Sequence, residues 1–318
     1  MFDAWGKDLR IGFTINNNPT VQDPYNSTPA WGFPYVASGL APTPTASPVL
    51  YGGFAGNSIG YTAYAWYDRS FYLEAGGYTT ASPWWLARIG NGFGPGSTQG
   101  LAPYVRAAYQ WDWNQQSAHI GGIYFGANVN PTVDTFVTDG SNGQDSYNDY
   151  GFDGSYAWFG DGTHIFTVQG LLLHENQNLK GSANALNAAN AANGTPTTFG
   201  SGYGLNSLNV NASYWYQNTY GFTVGWLKTW GPQNPVLYQP GELTGSLNGK
   251  PNNNAFILEA DWVPFGKADS FASPWANLKL GIQYTIYTQF NGASSNYDGF
   301  GRSASANNTL YLFAWLVF

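Results

Sequence analysis

The chain has 318 residues, of which 18% are aromatic, 9% are charged and none is cysteine, and its formal net charge is −7. Soluble domains carry about 25% charged residues, so the charges that normally coat a water-facing surface are missing, yet mean hydropathy is only −0.28 and the pI is near 4.7. The composition excludes disulfides, thiolate metal sites, thiol catalysis and haem attachment through Cys-x-x-Cys-His. The acidic balance argues against a nucleic-acid partner, and no run approaches the ~18 apolar residues of a transmembrane helix.

The start, Met1-Phe-Asp-Ala-Trp-Gly-Lys7, lacks the basic residues and apolar core of a signal peptide. An exported protein beginning this way is expected to be a mature chain or a portion of a longer one. From there, alternating segments recur at 7–16, 57–67, 70–80, 103–114, 117–127, 146–159, 162–175, 205–217, 219–230, 253–264, 275–290 and 306–318. They number twelve, and bacterial barrels close with an even number of strands. The expected fold is all-β: one transmembrane, antiparallel, up-and-down β-barrel domain over 1–318, with no helices to form a second layer.

Asp68-Arg69, Asn114 to Ser117, Gly160-Asp161-Gly162 and Gln217-Asn218-Thr219 read as hairpin turns, because Gly and Asn reach positive φ cheaply. Long connections at 17–56, 81–102, 128–145, 176–204, 231–252 and 291–305 alternate with them. Short periplasmic turns and long outer loops place both termini in the periplasm; Phe265 to Pro274 is the one long turn. Segment 17–56 carries Pro19, Pro24, Pro29, Pro34, Pro42, Pro44 and Pro48, and so cannot add strands. The Ala/Asn-rich stretch 181–198 reads as a solvated loop with at most a short helix.

The alternation assigns faces. Val105, Ala107, Tyr109, Trp111 and Trp113 point outward, and Arg106, Gln110 and Asp112 inward. Phe256, Leu258, Ala260 and Trp262 likewise oppose Glu259 and Asp261. Trp111, Trp113, Trp158, Trp226 and Trp262 suit interfacial girdles. The lumen-lining candidates are Arg10, Glu74, Arg106, Asp112, Asp153, Glu259, Asp261 and Lys279, with Asp8 and Asp149 among the inward acids. Glu74 is expected to pair with Arg106, and Lys279 with Glu259 or Asp261. Such pairs brace a narrow barrel, and the excess of acids favours cations.

No enzyme is expected. His164 and His174 share a face but lie about 33 Å apart at strand rise, and adjacent His174 and Glu175 point to opposite faces. A lipid-facing hydrolase needs a Ser–His pair, and no Ser is spaced to meet His119 or His164 on a neighbouring strand. No residue set for a metal or cofactor is evident.

In the last strand Leu310, Leu312, Ala314 and Leu316 alternate and the chain stops at Phe318. That ending reads as the closing strand of a bacterial outer-membrane barrel, with Phe318 as the signal for the barrel-assembly machinery. Inward Tyr311, Phe313 and Trp315 suit no wide aqueous pore, so they are expected to pack against a plug.

Several segments carry a family resemblance: Asn16-Asn-Asn-Pro-Thr-Val-Gln-Asp-Pro-Tyr-Asn-Ser-Thr-Pro-Ala-Trp-Gly-Phe-Pro34, then Tyr284 to Arg302, and the tail Asn307 to Phe318. Along essentially its whole length the chain resembles the barrel portion of bacterial outer-membrane cytochrome c–porin fusion proteins, a family often labelled cytochrome c. The resemblance implies an outer-membrane, porin-like sheath or channel in a conduit for electron transfer, with lipid and a fused or periplasmic c-type cytochrome as partners. Haem c would belong to a segment absent from this chain, which has no Cys-x-x-Cys-His. The alternative expectation is a passive diffusion porin with mild cation preference, in which 17–56 is a constriction. A third is an anchoring role, marked by a lumen filled by a folded-in loop.

Overall fold

The computed structural model describes residues 2–4, 6–28, 30, 32–195, 197–267, 270, 272 and 275–318. Strands dominate, in the order β1 (Phe2–Ala4), β2 (Lys7–Asn16), β3 (Ser58–Tyr67), β4 (Phe71–Thr80), β5 (Gly96–Thr98), β6 (Ala102–Trp113), β7 (Gln116–Asp134), β8 (Val137–Thr138), β9 (Asp145–Trp158), β10 (His164–Asn178), β11 (Gly202–Tyr216), β12 (Tyr220–Trp230), β13 (Asn253–Trp262), β14 (Asn277–Gln289) and β15 (Thr309–Val317). The twelve segments read from the alternation all form strands. They join in chain order into one antiparallel up-and-down sheet, β1 preceding them at one edge and β5 and β8 flanking an extension of β7. β7 outruns its expected end at 127 by seven residues, because β5 and β8 give its far end new partners.

Three connections at one end of the sheet, of two or three residues, reverse on a pair of positive-φ residues: Asp68 and Arg69 at 51° and 57°, Asn114 and Gln115 at 40° and 63°, Gln217 and Asn218 at 51° and 52°. That backbone matches the right-handed twist of the strands it joins. At the Gly160 to Gly162 turn, Asp161 accepts the Thr163 backbone N–H at 2.8 Å, and this bond holds its carboxyl below the usual carboxylate range. The turn at 265–274 lies partly outside the described residues. The opposite end carries the long connections.

Two short helices form, one of them in the stretch where a short helix was allowed. α1 (Pro83–Ile89) has Ser82 accepting the Trp85 N–H, proline at its start, and Gly90 in the left-handed region as its stop. α2 (Lys180–Ala192) covers most of the Ala/Asn-rich stretch. Neither supplies a second layer to the sheet.

One face of the sheet is open and apolar: Ile15, Phe152 and Leu312 are 72%, 71% and 68% exposed. Trp113, Trp158, Tyr216, Tyr220 and Trp262 line its turn end, while Trp226 lies six residues further along β12. The other face is covered, and there glycines sit directly opposite aromatic residues. Rings of Tyr64, Tyr78, Trp215 and Phe313 occupy the space above Gly12, Gly60, Gly221 and Gly281, their ladder partners. Glycine weakens a strand by leaving its surface bare, and a cross-strand ring restores that contact.

The cover is the chain's own segment 17–56. Its Leu50 and Phe54 are fully buried, in a cluster with Tyr78, Tyr104, Phe125, Val129 and Leu173 from the sheet. Its prolines keep it out of the ladder, so its polar backbone is met by side chains of the strands beneath.

Candidate functional site

The first stretch of the segment is held by charge. Asp23 curls the chain around itself: its carboxylate accepts the backbone N–H of Tyr25, Ser27 and Thr28, all at 3.1 Å. Asp residues make such local turns readily. The outward-turned oxygen meets Arg106 of β6 at 3.0 Å. Arg106, fully buried, also forks onto Asp153 of β9 at 3.1 and 2.7 Å. A planar guanidinium matches a carboxylate in this bidentate way.

His119 of β7 joins the cluster, with Nε2 2.9 Å from Asp153 and Nδ1 2.6 Å from Ser155 of β9, its direct ladder partner. Ser27 Oγ donates to the same Asp153. The Tyr25 ring stacks on His119 at 4.1 Å, and burial pushes the Tyr25 hydroxyl up to about 12. The expectation that no serine meets His119 is therefore corrected: Ser155 and Ser27 both reach it. Acyl transfer by such a triad needs an accessible nucleophile and oxyanion donors. Here His119 is 3% exposed beneath Tyr25, and Asp153 is engaged by Arg106 and Ser27. The cluster's bonding capacity goes into holding 23–28 against the wall.

Glu74 of β4 and Arg106 are direct ladder partners, but their side chains do not pair, which corrects the expected salt bridge. Arg106 turns to the two aspartates, and Glu74 takes Gln22 of the segment at 2.6 Å and Tyr72 at 2.9 Å. Two carboxylates in reach offered Arg106 a fork that one glutamate on its own neighbour did not.

The last stretch is held differently. The backbone N–H groups of Val49 and Leu50 donate to Glu175 of β10 and Asp149 of β9, which are themselves ladder partners. Gln177 donates to Glu175 at 2.7 Å. Between the two ends, Asn209 of β11 donates to the Phe33 carbonyl at 2.9 Å and Gln283 of β14 to the Val36 carbonyl at 3.1 Å. Contacts of one forty-residue segment thus run across the covered face from β4 to β14.

The other candidates lie on or beside this face. Lys279 Nζ lies 3.3 Å from Glu259 and 3.0 Å from Asp261. Arg10 bonds Asp8 two residues before it, and Asp112 sits exposed at the turn end with Gln110. Tyr311, Phe313 and Trp315, expected to pack against a plug, lie on the last strand of the sheet. Phe313 covers Gly281 with Lys279 Nζ 5.4 Å from its ring, Tyr311 stacks on Phe313, and Trp315 is 53% exposed. Phe318 is 96% exposed. His164 and His174 lie on the open face and Glu175 on the covered one.

Sequence reasoning passed over Asp23, Ser27 and Ser155, and named His119 and Glu175 without giving them a part in the site. One signal was present: Asp23 followed by Ser27 and Thr28 in a proline-rich stretch is the composition of a self-capped turn. Among the described residues no group of three or more His, Asp or Glu is placed to hold a metal. No family model, curated protein or solved structure matches this chain.

Proposed function

We propose that this chain is an outer-membrane β-barrel, both termini periplasmic, whose 17–56 segment folds back into the lumen and narrows it to a diffusion passage with mild cation preference. The carrying observation is the attachment of that segment from β4 to β14 by Gln22, Asp23, Ser27, Phe33, Val36, Val49 and Leu50. A membrane location is supported by the open apolar face. Monomers in water rarely expose contiguous apolar patches beyond a few hundred Å², and a barrel in lipid requires such a band with aromatic girdles. Closure of β15 onto the β1–β2 edge follows from the same reading, because an open sheet edge is not tolerated in hydrocarbon.

Cation preference is supported by the wall itself, where Asp8, Glu74, Asp153, Glu175, Glu259 and Asp261 outnumber Arg10, Arg106 and Lys279 on the covered face. A cytochrome–porin sheath needs room for a haem-bearing domain on this same face, and segment 17–56 already takes up much of it. The test is reversal potential in a planar bilayer under a potassium chloride gradient. A small, steady conductance with the potential displaced toward potassium supports the reading. A folded barrel that never conducts sinks it and favours the sheath or anchor, which haem absorbance in the native complex then separates.

A further inference from the structure

Asp149 of β9 and Glu175 of β10 are ladder partners, and both are fully buried beneath segment 17–56. Phe125 of β7 lies opposite Asp149 on its other side, and Leu205 of β11 lies opposite Glu175. The row across four strands is thus an acid pair walled at each end by a buried apolar side chain. Asp153 has Arg106, and Glu259 and Asp261 have Lys279. Among the described residues neither Asp149 nor Glu175 pairs with a lysine or arginine.

Their hydrogen bonds leave room for one proton. Glu175 accepts the Val49 N–H on one oxygen and Gln177 Nε2 on the other, and Asp149 Oδ2 accepts the Leu50 N–H at 2.9 Å. Asp149 Oδ1 is buried and no N–H or hydroxyl reaches it. The two carboxyls are hydrogen-bonded to each other, which requires a proton on one of them. Two adjacent carboxylates without a countercharge do not both stay ionised in such a place.

We propose that Asp149 and Glu175 share one proton, and that this proton latches residues 49–54 to the wall and releases them as the pH rises. Loss of the proton to water leaves two neighbouring charges under the segment. β9 and β10 are held by their ladders, so relief comes when 49–54 lifts and water enters. Released carboxyls ionise near ~4, and above that pH the docked form carries one proton more than the released form. Docking therefore weakens by up to about tenfold per pH unit through this range and is insensitive to pH below it.

The other titratable groups around the pair are Tyr51 of the segment, Asp145 and Tyr147 of β9, Tyr238 after β12, and His174 on the opposite face of β10. Burial pushes the Tyr51 and Tyr238 hydroxyls up, and Asp145 is taken by the Ser182 N–H at 3.0 Å. His174 bonds Asn206 and Asn176 on the open face, and its own titration is the rival cause of a pH response.

The test is protease cleavage within 45–56 of the folded protein, in steps from mildly acidic to mildly alkaline pH. Each rate is divided by that of Asp149→Asn at the same pH, which cancels the protease's own profile. In Asp149→Asn an amide N–H takes the place of the shared proton at every pH. The wild-type ratio should be near one in acid and rise by about tenfold or more toward alkaline pH. Glu175→Gln should stay flat, and it serves as the reference should Asp149→Asn fail to fold. His174→Gln should keep the rise. Infrared spectra at neutral pH should show a protonated-carboxyl band in the wild type that Asp149→Asn lacks. A flat wild-type ratio, no such band, or a rise that His174→Gln removes overturns the proposal. The latch needs only the sheet and its cover, whereas its effect on passage rests on the barrel reading. Cleavage that responds to pH in a protein that never conducts overturns only the pore, and conductance with a flat ratio overturns only this inference.

Discussion

The two ends of segment 17–56 are fastened to the same sheet by opposite chemistry. Residues 23–28 are fixed by side-chain charge, with Asp23 and Asp153 closing on the buried Arg106. Residues 49–54 are fixed by Leu50 and Phe54 in an apolar cluster, while their backbone N–H groups find carboxylates on β9 and β10. A buried ion cluster is unforgiving, because removing one partner leaves the others charged and desolvated. An apolar anchor fails gradually, by cavity volume. The segment therefore has one end that is specific in geometry and one that is tolerant of local change.

Substituting each end in turn separates them. Arg106→Met has the largest expected effect, about 3–5 kcal/mol, because Asp23 and Asp153 are left facing each other unpaired. It is read as the denaturant midpoint of the folded protein, alongside protease cleavage within 20–30. Pairing it with Asp23→Asn and Asp153→Asn should return a large part of that loss. If the triple variant is no more stable than Arg106→Met, the ionic account of this end is wrong.

Leu50→Ala should cost about 2–5 kcal/mol through transfer and cavity terms, with new cleavage confined to 45–56. Cleavage spreading to 23–28 as well would show one cooperative plug, not two separate fastenings. Glu175→Leu removes the acceptor for the Val49 N–H and leaves that donor buried. An unsatisfied buried donor costs about 1–3 kcal/mol, and a loss of that size is expected. The smallest effect belongs to Lys7→Ala, which removes an exposed pair with Asp68 at the turn end. Exposed pairs contribute little, and no shift of the midpoint should be measurable.

The sheet was legible because its information is local. Period-two alternation such as Phe256, Leu258, Ala260 against Glu259 and Asp261 survives any tertiary context, since a slip of one residue would bury the wrong set. The hairpins at Asp68-Arg69 and Gln217-Asn218 were legible for the same reason. α1 was passed over although Ser82-Pro83 and Gly90 mark its ends, because seven residues give little helical period to read. The placement of segment 17–56 was not legible. Its prolines exclude a strand, but nothing in them says which wall the segment meets.

The Glu74–Arg106 pair shows the same limit: register placed the two residues opposite each other, and a loop carrying Asp23 decided where Arg106 turned. Of the inward aromatics Tyr311, Phe313 and Trp315, Phe313 has a partner one strand away. Gly281 left a gap in β14 that Phe313 covers.

Single-channel conductance tests the central claim most directly. It compares the intact chain with one in which residues 20–54 are replaced by a short Gly-Ser linker, both shown to be folded by heat-modified migration. The account predicts a small, steady conductance for the intact barrel and a severalfold larger one once the segment is gone. Equal conductances from two folded barrels would mean that 17–56 does not stand in the passage, and the account would fail.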